Sequence, residues 1–180
     1  MTASVLLFDP TAPQQQAARQ ARKTLAGLDG TVVGFIDNAK PNFNHLVDDL
    51  SELLVSRYGV SEVVKRRKRA ASVPAADDVY QELAERCDLV ITGSGDGGSC
   101  ASWSIHDSVE MAKRGVAALT ICSTAFITLG RAQASALGQP NLPIAVIAHP
   151  FGLRSRDEVR QMAETCVDDV AKLVSEPAPA

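Results

Sequence analysis

The sequence predicts a single α/β domain of three layers, in which helices cover both faces of a mostly parallel sheet. The first observation behind this prediction is that short apolar runs alternate with amphipathic stretches of helical periodicity. This alternation is typical of parallel strands joined by right-handed helical crossovers. The second is the composition of the 180 residues, of which 46% are hydrophobic and 22% are charged. That balance suits one globular core and excludes intrinsic disorder.

About six strands are predicted, each a short apolar run that ends at a polar or turn-forming residue. The run from Asp88 to Thr92 has a continuous apolar centre, Leu89-Val-Ile91, as expected of a strand that is buried on both faces. The predicted strands are residues 4–8, 31–36, 62–64, 88–92, 117–121 and 143–148.

Helices are predicted between these strands, where apolar residues recur at helical spacing. After Asn42, the side chains of Leu46, Leu50 and Leu53 fall on one helical face. Gly59 then supplies a typical helix stop. The predicted helices are residues 14–28, 42–58, 77–87, 99–114, 125–137 and 157–174.

These elements describe a doubly wound domain of the Rossmann or flavodoxin type, expected over residues 1–175, with a disordered tail at 176–180. In such folds, ligands bind beyond the carboxyl ends of the strands. Candidate functional residues are therefore sought in the segments that follow the predicted strands. Those segments are residues 9–10, 37–42, 65–72, 93–100, 122–124 and 149–152.

Composition and charge argue against several classes of protein. No apolar run approaches the roughly 18 residues of a membrane span, and the N-terminal residues lack the basic segment of a signal peptide. The net charge of −3 argues against general nucleic-acid binding. The four cysteines form no CxxC pair, which favours reduced thiols over disulfides or a metal site. We therefore expect a cytoplasmic protein without a metal, cofactor, membrane or nucleic-acid partner.

A glycine-rich loop, Gly93-Ser-Gly-Asp-Gly-Gly98, lies between a predicted strand and a predicted helix. It matches G-x-G-x-x-G, a pattern that brings backbone N–H groups close to a pyrophosphate at a helix N-terminus. Against dinucleotide binding, the end of the next strand carries Cys122-Ser123-Thr124 and no acidic residue. We expect the loop to hold a smaller anionic or polar group. The residues expected to bind it are Gly95, Asp96, Gly97, Gly98 and Ser99.

Cys100 falls in the first turn of the predicted helix after this loop. A thiolate there would be stabilised by the helix dipole and by free N–H groups, as a nucleophile or redox group requires. The alternative is a small buried hydrophobe. Cys122 ends the adjacent strand and could face Cys100 across the strand ends. Ser123 and Thr124 are predicted either to cap the next helix or to bind the anion.

Other polar candidates follow the remaining strands. Asn38 and Lys40 follow the second predicted strand, and the lysine would suit a carboxylate or phosphate. His149, at the end of the last strand, or His106, on the helix after the glycine loop, is the candidate acid or base. The basic run at 65–69 is predicted to be a solvated edge, with phosphate binding as the alternative.

Together these segments resemble the UGSC-motif family of proteins and selenoproteins. The similarity rests on Gly95-Asp-Gly-Gly-Ser-Cys-Ala-Ser-Trp103 and Asp37-Asn-Ala-Lys-Pro-Asn42. It continues through His106-Asp107, Cys122, Arg131-Ala-Gln-Ala and His149-Pro150, and so covers nearly the whole chain. The family has a selenocysteine or cysteine at the position of Gly97, so only the second member of that redox pair, Cys100, is present.

The C-terminal half is also distantly similar to the selenoprotein B subunits of glycine, sarcosine and betaine reductases and of proline reductase. There a selenol attacks a carbon beside a substrate nitrogen in reductive cleavage. What this implies here is thiol chemistry on a small anionic organic substrate, either redox or C–N/C–S cleavage, with Cys100 as nucleophile. Two alternatives stay open: a non-catalytic binding protein or accessory subunit of a reductase-like complex, and a dinucleotide-binding oxidoreductase. A homodimer or a partner subunit would fit either class.

Overall fold

A computed structural model describes residues 22–176 and contains one parallel sheet. Its five strands follow the order β2-β1-β3-β4-β5, and every neighbouring pair is parallel. This order is that of flavodoxin-like doubly wound domains, and it confirms the predicted fold class. The strands are β1 Val32–Asp37, β2 Glu62–Arg67, β3 Leu89–Gly95, β4 Ala117–Ser123 and β5 Ile144–Ile147.

Five α-helices connect and cover the strands in the described part of the chain. Helices α1 and α5 pack together on one face of the sheet, and α2, α3 and α4 cover the other. A single 3-10 turn, Thr124–Phe126, precedes α4. The helices are α1 Phe43–Tyr58, α2 Asp77–Arg86, α3 Gly98–Lys113, α4 Ile127–Ala136 and α5 Arg156–Ser175. All five were predicted.

Two apolar cores lie on the two sides of the sheet because successive strand residues point to opposite faces. Phe35 and Ile91 pack on the α1–α5 side, whereas Ile36 and Val90 pack on the α2–α3–α4 side. All four side chains are buried. Burial on both faces explains why the central strands read as continuous apolar runs.

Two helix termini show local sequence control. Helix α1 ends at Gly59, whose φ of 70° is the left-handed conformation that glycine adopts without a Cβ penalty. Helix α5 begins with a capping box, in which Ser155 and Glu158 each accept a hydrogen bond from the other's backbone N–H.

The N-terminal predictions fare differently. The strand at 4–8 and residues 14–21 of the first helix lie outside the described residues. Residues 22–28 are not helical, so that part of the prediction is wrong. The Leu25 amide donates to the Val174 carbonyl, and Leu28 is buried in the core. Contacts with α5 and the core therefore override the local helical preference of this polar, alanine-containing stretch.

The remaining differences lie at element ends. Strand β2 was predicted to end at Val64 but continues through Arg67, so three residues of the basic run belong to the strand. Strand β3 was predicted to end at Thr92 but continues through Gly95, and β4 was predicted to end at Ile121 but continues through Ser123. Thr92 pairs with Thr120 and Gly95 with Cys122, so β3 carries one extra residue in a bulge. No helix within residues 22–176 is both long and apolar enough to cross a lipid bilayer.

Candidate functional site

The loops after β1, β3 and β5 meet at the carboxyl edge of the sheet. The Asn38 amide N–H donates to the Gly93 carbonyl at 3.0 Å. Asn42 Nδ2 donates to the carbonyls of Phe151 and Arg154, at 3.2 and 2.8 Å. These hydrogen bonds bring three of the predicted ligand-binding segments into one continuous surface.

Two glycines of the glycine-rich motif are required by packing. A Cβ on Gly93 would lie 2.7 Å from the Phe43 ring, and one on Gly95 would lie 2.5 Å from Cys122 Sγ. A side chain at either position would therefore displace a core residue. Since these glycines are explained by close strand–helix contact, their presence does not favour a dinucleotide over a smaller ligand.

The next two glycines lie at the start of α3, where space is open. Gly97 has an extended backbone (φ 175°), which any residue adopts. The nearest atom to a Cβ built on it is Cys100 Sγ, at 3.5 Å. A Cβ on Gly98 would lie 4.0 Å from Leu129. A side chain at position 97 would therefore face the Cys100 sulfur.

Cys100 lies in the first turn of α3, as predicted, and is 7% exposed. Helix α3 is held against the sheet by Thr92, whose hydroxyl donates to the Ser104 carbonyl at 2.8 Å. The sulfur is therefore held at the start of a firmly packed helix. Cys87 precedes β3 and so lies at the opposite, amino edge of the sheet, and it is equally exposed at 7%.

Asp96 and His149 form a hydrogen-bonded pair that the sequence did not reveal. Asp96 Oδ1 lies 2.9 Å from His149 Nδ1. Asp96 Oδ2 accepts hydrogen bonds from the backbone amides of Phe151 and Gly152, at 3.1 and 3.0 Å. An ionised carboxylate only accepts, so it places the proton on Nδ1 and leaves the lone pair on Nε2.

The surroundings keep this carboxylate ionised. Burial raises the pKa of Asp96, but hydrogen bonds from Ser123, from two backbone amides and from His149 outweigh burial, and the pKa lies below its usual range. Ser123 is fully buried, and its hydroxyl lies 3.1 Å from His149 Nδ1 and 3.4 Å from the Gly95 carbonyl. Ser123 therefore supports the pair and does not cap the following turn with its side chain.

The other face of the imidazole is apolar. The Phe126 ring meets the His149 ring edge-on, with centroids 5.7 Å apart. The His149 side chain is 38% exposed. One ring nitrogen is thus anchored by Asp96 while the side chain remains accessible to a ligand.

Cys122, a predicted catalytic partner, is enclosed in the core. It has no exposed surface, and burial raises the pKa of its thiol to about 12. Its sulfur lies close to the Cβ positions of Gly95 and Gly130, between the sheet and the helices. This environment favours a packing role over a nucleophilic one.

Asn38 and Lys40 take different places in the β1–α1 loop. Asn38 is 1% exposed, and its Nδ2 donates to the Ser94 carbonyl at 2.8 Å and to Ser104 Oγ at 3.3 Å. Asn38 therefore joins the loop to β3 and α3. The Lys40 amide donates to Asn38 Oδ1 at 3.3 Å, while its side chain has no ion pair within residues 22–176. Lys40 is half-buried.

The remaining candidates divide between the site and the outer surface. Ser99 and Thr124 are exposed at the starts of α3 and of the 3-10 turn, respectively. His106 contacts Trp103 instead, with ring centroids 5.2 Å apart. No described contact joins His106 to His149 or to the glycine loop, so His149 is the better-placed acid or base.

Most of the basic run is neutralised by neighbouring carboxylates. Lys65 pairs with Asp48, Arg66 with Glu82, Arg67 with Asp37 and Lys68 with Asp107. The first three pairs are solvent-exposed to differing degrees, as a solvated edge predicts. Lys68 departs from that pattern because it is buried.

The contact between Asp96 and His149 depends on the order of the strands in the sheet. Strands β3, β4 and β5 are neighbours in the sheet, so polar residues that follow β3 and β5 converge on the end of β4. That strand order is a property of the fold and cannot be read from any single motif. The sequence therefore placed both residues at the same edge without showing that they touch.

Comparison with known proteins gives few functional clues. No functionally curated protein is significantly similar to this chain. A solution NMR structure of a de novo designed PLOOP2X3_50 fold protein shares 14% sequence identity, with a TM-score of 0.38. That match covers 79% of this chain and 95% of the designed one, and it carries no argument about function. The sequence pattern of the UGSC family, by contrast, matches residues 6–176, so the chain belongs to the UGSC family.

Proposed function

We propose that the chain is a cytoplasmic thiol-dependent enzyme that acts on a small anionic organic substrate at the carboxyl edge of the sheet. Cys100 is the reacting thiol, and His149 is the acid–base group. The observation that carries the proposal is the Asp96–His149 hydrogen bond of 2.9 Å, formed by the loop that leads into the Cys100 helix. The pair places an anchored imidazole at the same edge of the sheet as the helix that carries Cys100, and an imidazole base together with a helix N-terminus is a common means of activating a cysteine.

The substrate anion would bind at the start of α3. The first N–H groups of a helix have no intrahelical partner and favour negative charge. Gly98 and Ser99 are exposed there, and Lys40 lies in the neighbouring loop. Asp96 does not bind the substrate in this proposal, because both of its carboxylate oxygens already accept hydrogen bonds from the protein. It positions His149.

The proposed chemistry begins with transfer of the Cys100 proton to His149 Nε2. The thiolate then bonds to an activated, carbonyl-like carbon while the C–N or C–S bond to the leaving group breaks. The leaving amine or thiol takes the proton held by His149. Attack of water on the covalent intermediate, with His149 as base, releases the product and restores the thiol.

The chain itself offers a test with an internal control. Each cysteine is alkylated with iodoacetamide across a pH series and quantified by peptide mass spectrometry. Cys100 and Cys87 are both 7% exposed, so a difference between them does not come from access, and activation is reported by the dependence of the Cys100 rate on His149. Burial raises the pKa of Cys87 to about 11. We expect Cys100 to react first in the native protein, and its rate to fall in His149→Ala.

Two results would contradict the proposal. Cys100 could remain unreactive until the protein unfolds, in which case it is a packing residue. It could also react no faster than Cys87 at every pH, in which case its position at the helix start confers no activation.

A second candidate function rests on Gly97. Because the family's selenocysteine or cysteine is replaced, the chain could instead be a non-catalytic binding protein or an accessory subunit of a complex related to the selenoprotein B reductases. The discriminating variant is Gly97→Cys, since a Cβ there lies 3.5 Å from Cys100 Sγ, within reach of a disulfide. Gly98→Cys, whose Cβ would be nearest Leu129, is the matched control.

The outcomes of that experiment separate the two functions. A Gly97→Cys variant that forms a disulfide with Cys100 and gains thiol peroxidase activity, where Gly98→Cys does not, identifies a redox scaffold that has lost one sulfur. Such a gain supports the accessory or binding role for the parent chain if the parent also fails the alkylation test. If Gly97→Cys forms no disulfide and shows no peroxidase activity, the result argues against a redox ancestry of the loop.

A further inference from the structure

A second concave surface lies at the carboxyl end of β2, outside the site described above. It is a cavity of about 480 Å³ between the end of β2, the 68–76 loop and the first turn of α2. This volume lies within the range of small-molecule sites. Its apolar walls are formed by Ile36, Val73, Pro74, Ala75, Ala76 and Val79.

All the charged residues that line the cavity are basic. They are Arg66, Arg67, Lys68 and Arg69. Glu82 neutralises Arg66, and Asp107 neutralises Lys68.

The other two guanidinium groups are less committed. Arg67 Nε lies 3.7 Å from Asp37 Oδ2, longer than a hydrogen bond, and the Arg67 side chain is 62% exposed. Arg69 is exposed and makes no ion pair with any residue from 22 to 176. Arg69 therefore has its whole guanidinium group available to an arriving anion, and Arg67 is held only by a long, solvent-exposed ion pair that leaves its hydrogen-bond donors available.

From this combination we infer that the cavity binds a small organic phosphate, with its apolar body on the Val73–Val79 wall and its phosphate on Arg67 and Arg69. Guanidinium groups bind phosphate oxygens in bidentate pairs, which gives both energy and orientation. The apolar wall excludes a bare inorganic ion as the best ligand, because that ion would leave most of the cavity unfilled. The site is independent of Cys100.

Phenyl phosphate is the probe, with inorganic phosphate and phenol as its two halves. Binding is followed by the backbone and methyl NMR signals of Val73 and Val79. We expect saturable shifts with phenyl phosphate and an affinity at least tenfold above that of either half. Arg67→Gln/Arg69→Gln should weaken phenyl phosphate at least tenfold.

Three further variants define the site. Arg131→Gln removes an exposed guanidinium from α4 and should leave the affinity for phenyl phosphate within twofold. Val73→Ser should weaken the binding of phenyl phosphate but not that of inorganic phosphate. Cys100→Ser should change neither affinity, so failure of the proposed enzyme function would leave this result intact.

The inference is overturned if phenyl phosphate produces no saturable shift at Val73 or Val79, or if Arg131→Gln causes the same loss as the double variant. It is also overturned if a single-stranded oligonucleotide binds along residues 65–69 more tightly than phenyl phosphate and is unaffected by Val73→Ser. That result would make the basic run a polyanion surface and not a small-molecule site.

Discussion

Replacing Asp107 by alanine should destabilise the fold more than any surface change. Lys68 and Asp107 are both buried, with side chains 1% exposed, and Lys68 Nζ lies 2.6 Å from Asp107 Oδ2. Asp107 Oδ1 also accepts hydrogen bonds from the Tyr80 hydroxyl and from the Ala75 amide, the latter at 3.0 Å. One carboxylate of α3 therefore satisfies three buried donors, two from the β2–α2 loop and one from α2.

The magnitude follows from what the substitution leaves behind. An unpaired buried charge costs about 3–5 kcal/mol, since the Lys68 ammonium keeps only the Val73 carbonyl at 2.7 Å. The Tyr80 hydroxyl and the Ala75 amide lose a partner at about 1–3 kcal/mol each, not fully additive. The expected loss, roughly 4–7 kcal/mol, is a large fraction of the stability of a typical domain. If Asp107→Ala does not fold, Asp107→Asn keeps one acceptor and should lose about half as much.

Urea unfolding followed by circular dichroism measures the difference, and Asp77→Ala is the matched control. Asp77 also pairs with an arginine, at 2.9 Å, but its side chain is 90% exposed, so its removal should cost less than about 1 kcal/mol. The double variant Lys68→Met/Asp107→Leu should recover part of the loss, because no charge is then stranded. If Asp107→Ala and Asp77→Ala lose equal stability, the buried pair is not what holds these elements together.

Three shorter predictions concern acid stability, packing and cofactors. Burial raises the pKa of Asp49, but hydrogen bonds from Arg156 and Arg160 outweigh burial and hold that pKa below its usual range. The stabilisation from the ionised Asp49 is present above about pH 4 and is lost as pH falls through the folded-state pKa. The difference in unfolding free energy between wild type and Asp49→Asn should therefore shrink in acid, which urea unfolding at a series of pH values would measure. Gly95→Ala should lose about 1–3 kcal/mol in thermal or urea unfolding because its Cβ would lie 2.5 Å from Cys122 Sγ, whereas Gly98→Ala should be neutral. NAD(P), FAD and FMN should leave the melting temperature unchanged; a shift of several degrees at high excess would instead support the dinucleotide interpretation.

The central strands could be predicted because burial on both faces leaves continuous apolar runs, and the helices because apolar residues recur at helical spacing. The edge strand β2 was predicted three residues too short because its second half is basic. What could not be predicted is how side chains at one edge divide between core and surface. Both Cys100 and Cys122 are buried near strand ends, but Cys122 has no exposed surface because it points from β4 into the core beneath α3 and α4, where the bulge in β3 places Gly95 opposite it. A single-residue change in register reverses the face of every later side chain, and no local motif encodes it.

Lys68 illustrates the same limit. A run of five basic residues is normally solvated, and four of these five lie at the surface or are half-buried. The fourth residue, Lys68, points into the core because it pairs with Asp107 on α3, 39 residues later in the chain. Only tertiary structure reveals that partner.

The open space at Gly97 has a genetic consequence. Its backbone suits any side chain, and the nearest atom to a new Cβ is the Cys100 sulfur. Two of the four glycine codons become cysteine codons by changing the first base, and a third becomes UGA, the codon read as selenocysteine. For three of the four glycine codons, a single nucleotide change would therefore create a two-chalcogen site, on a scaffold with room for the new side chain beside Cys100.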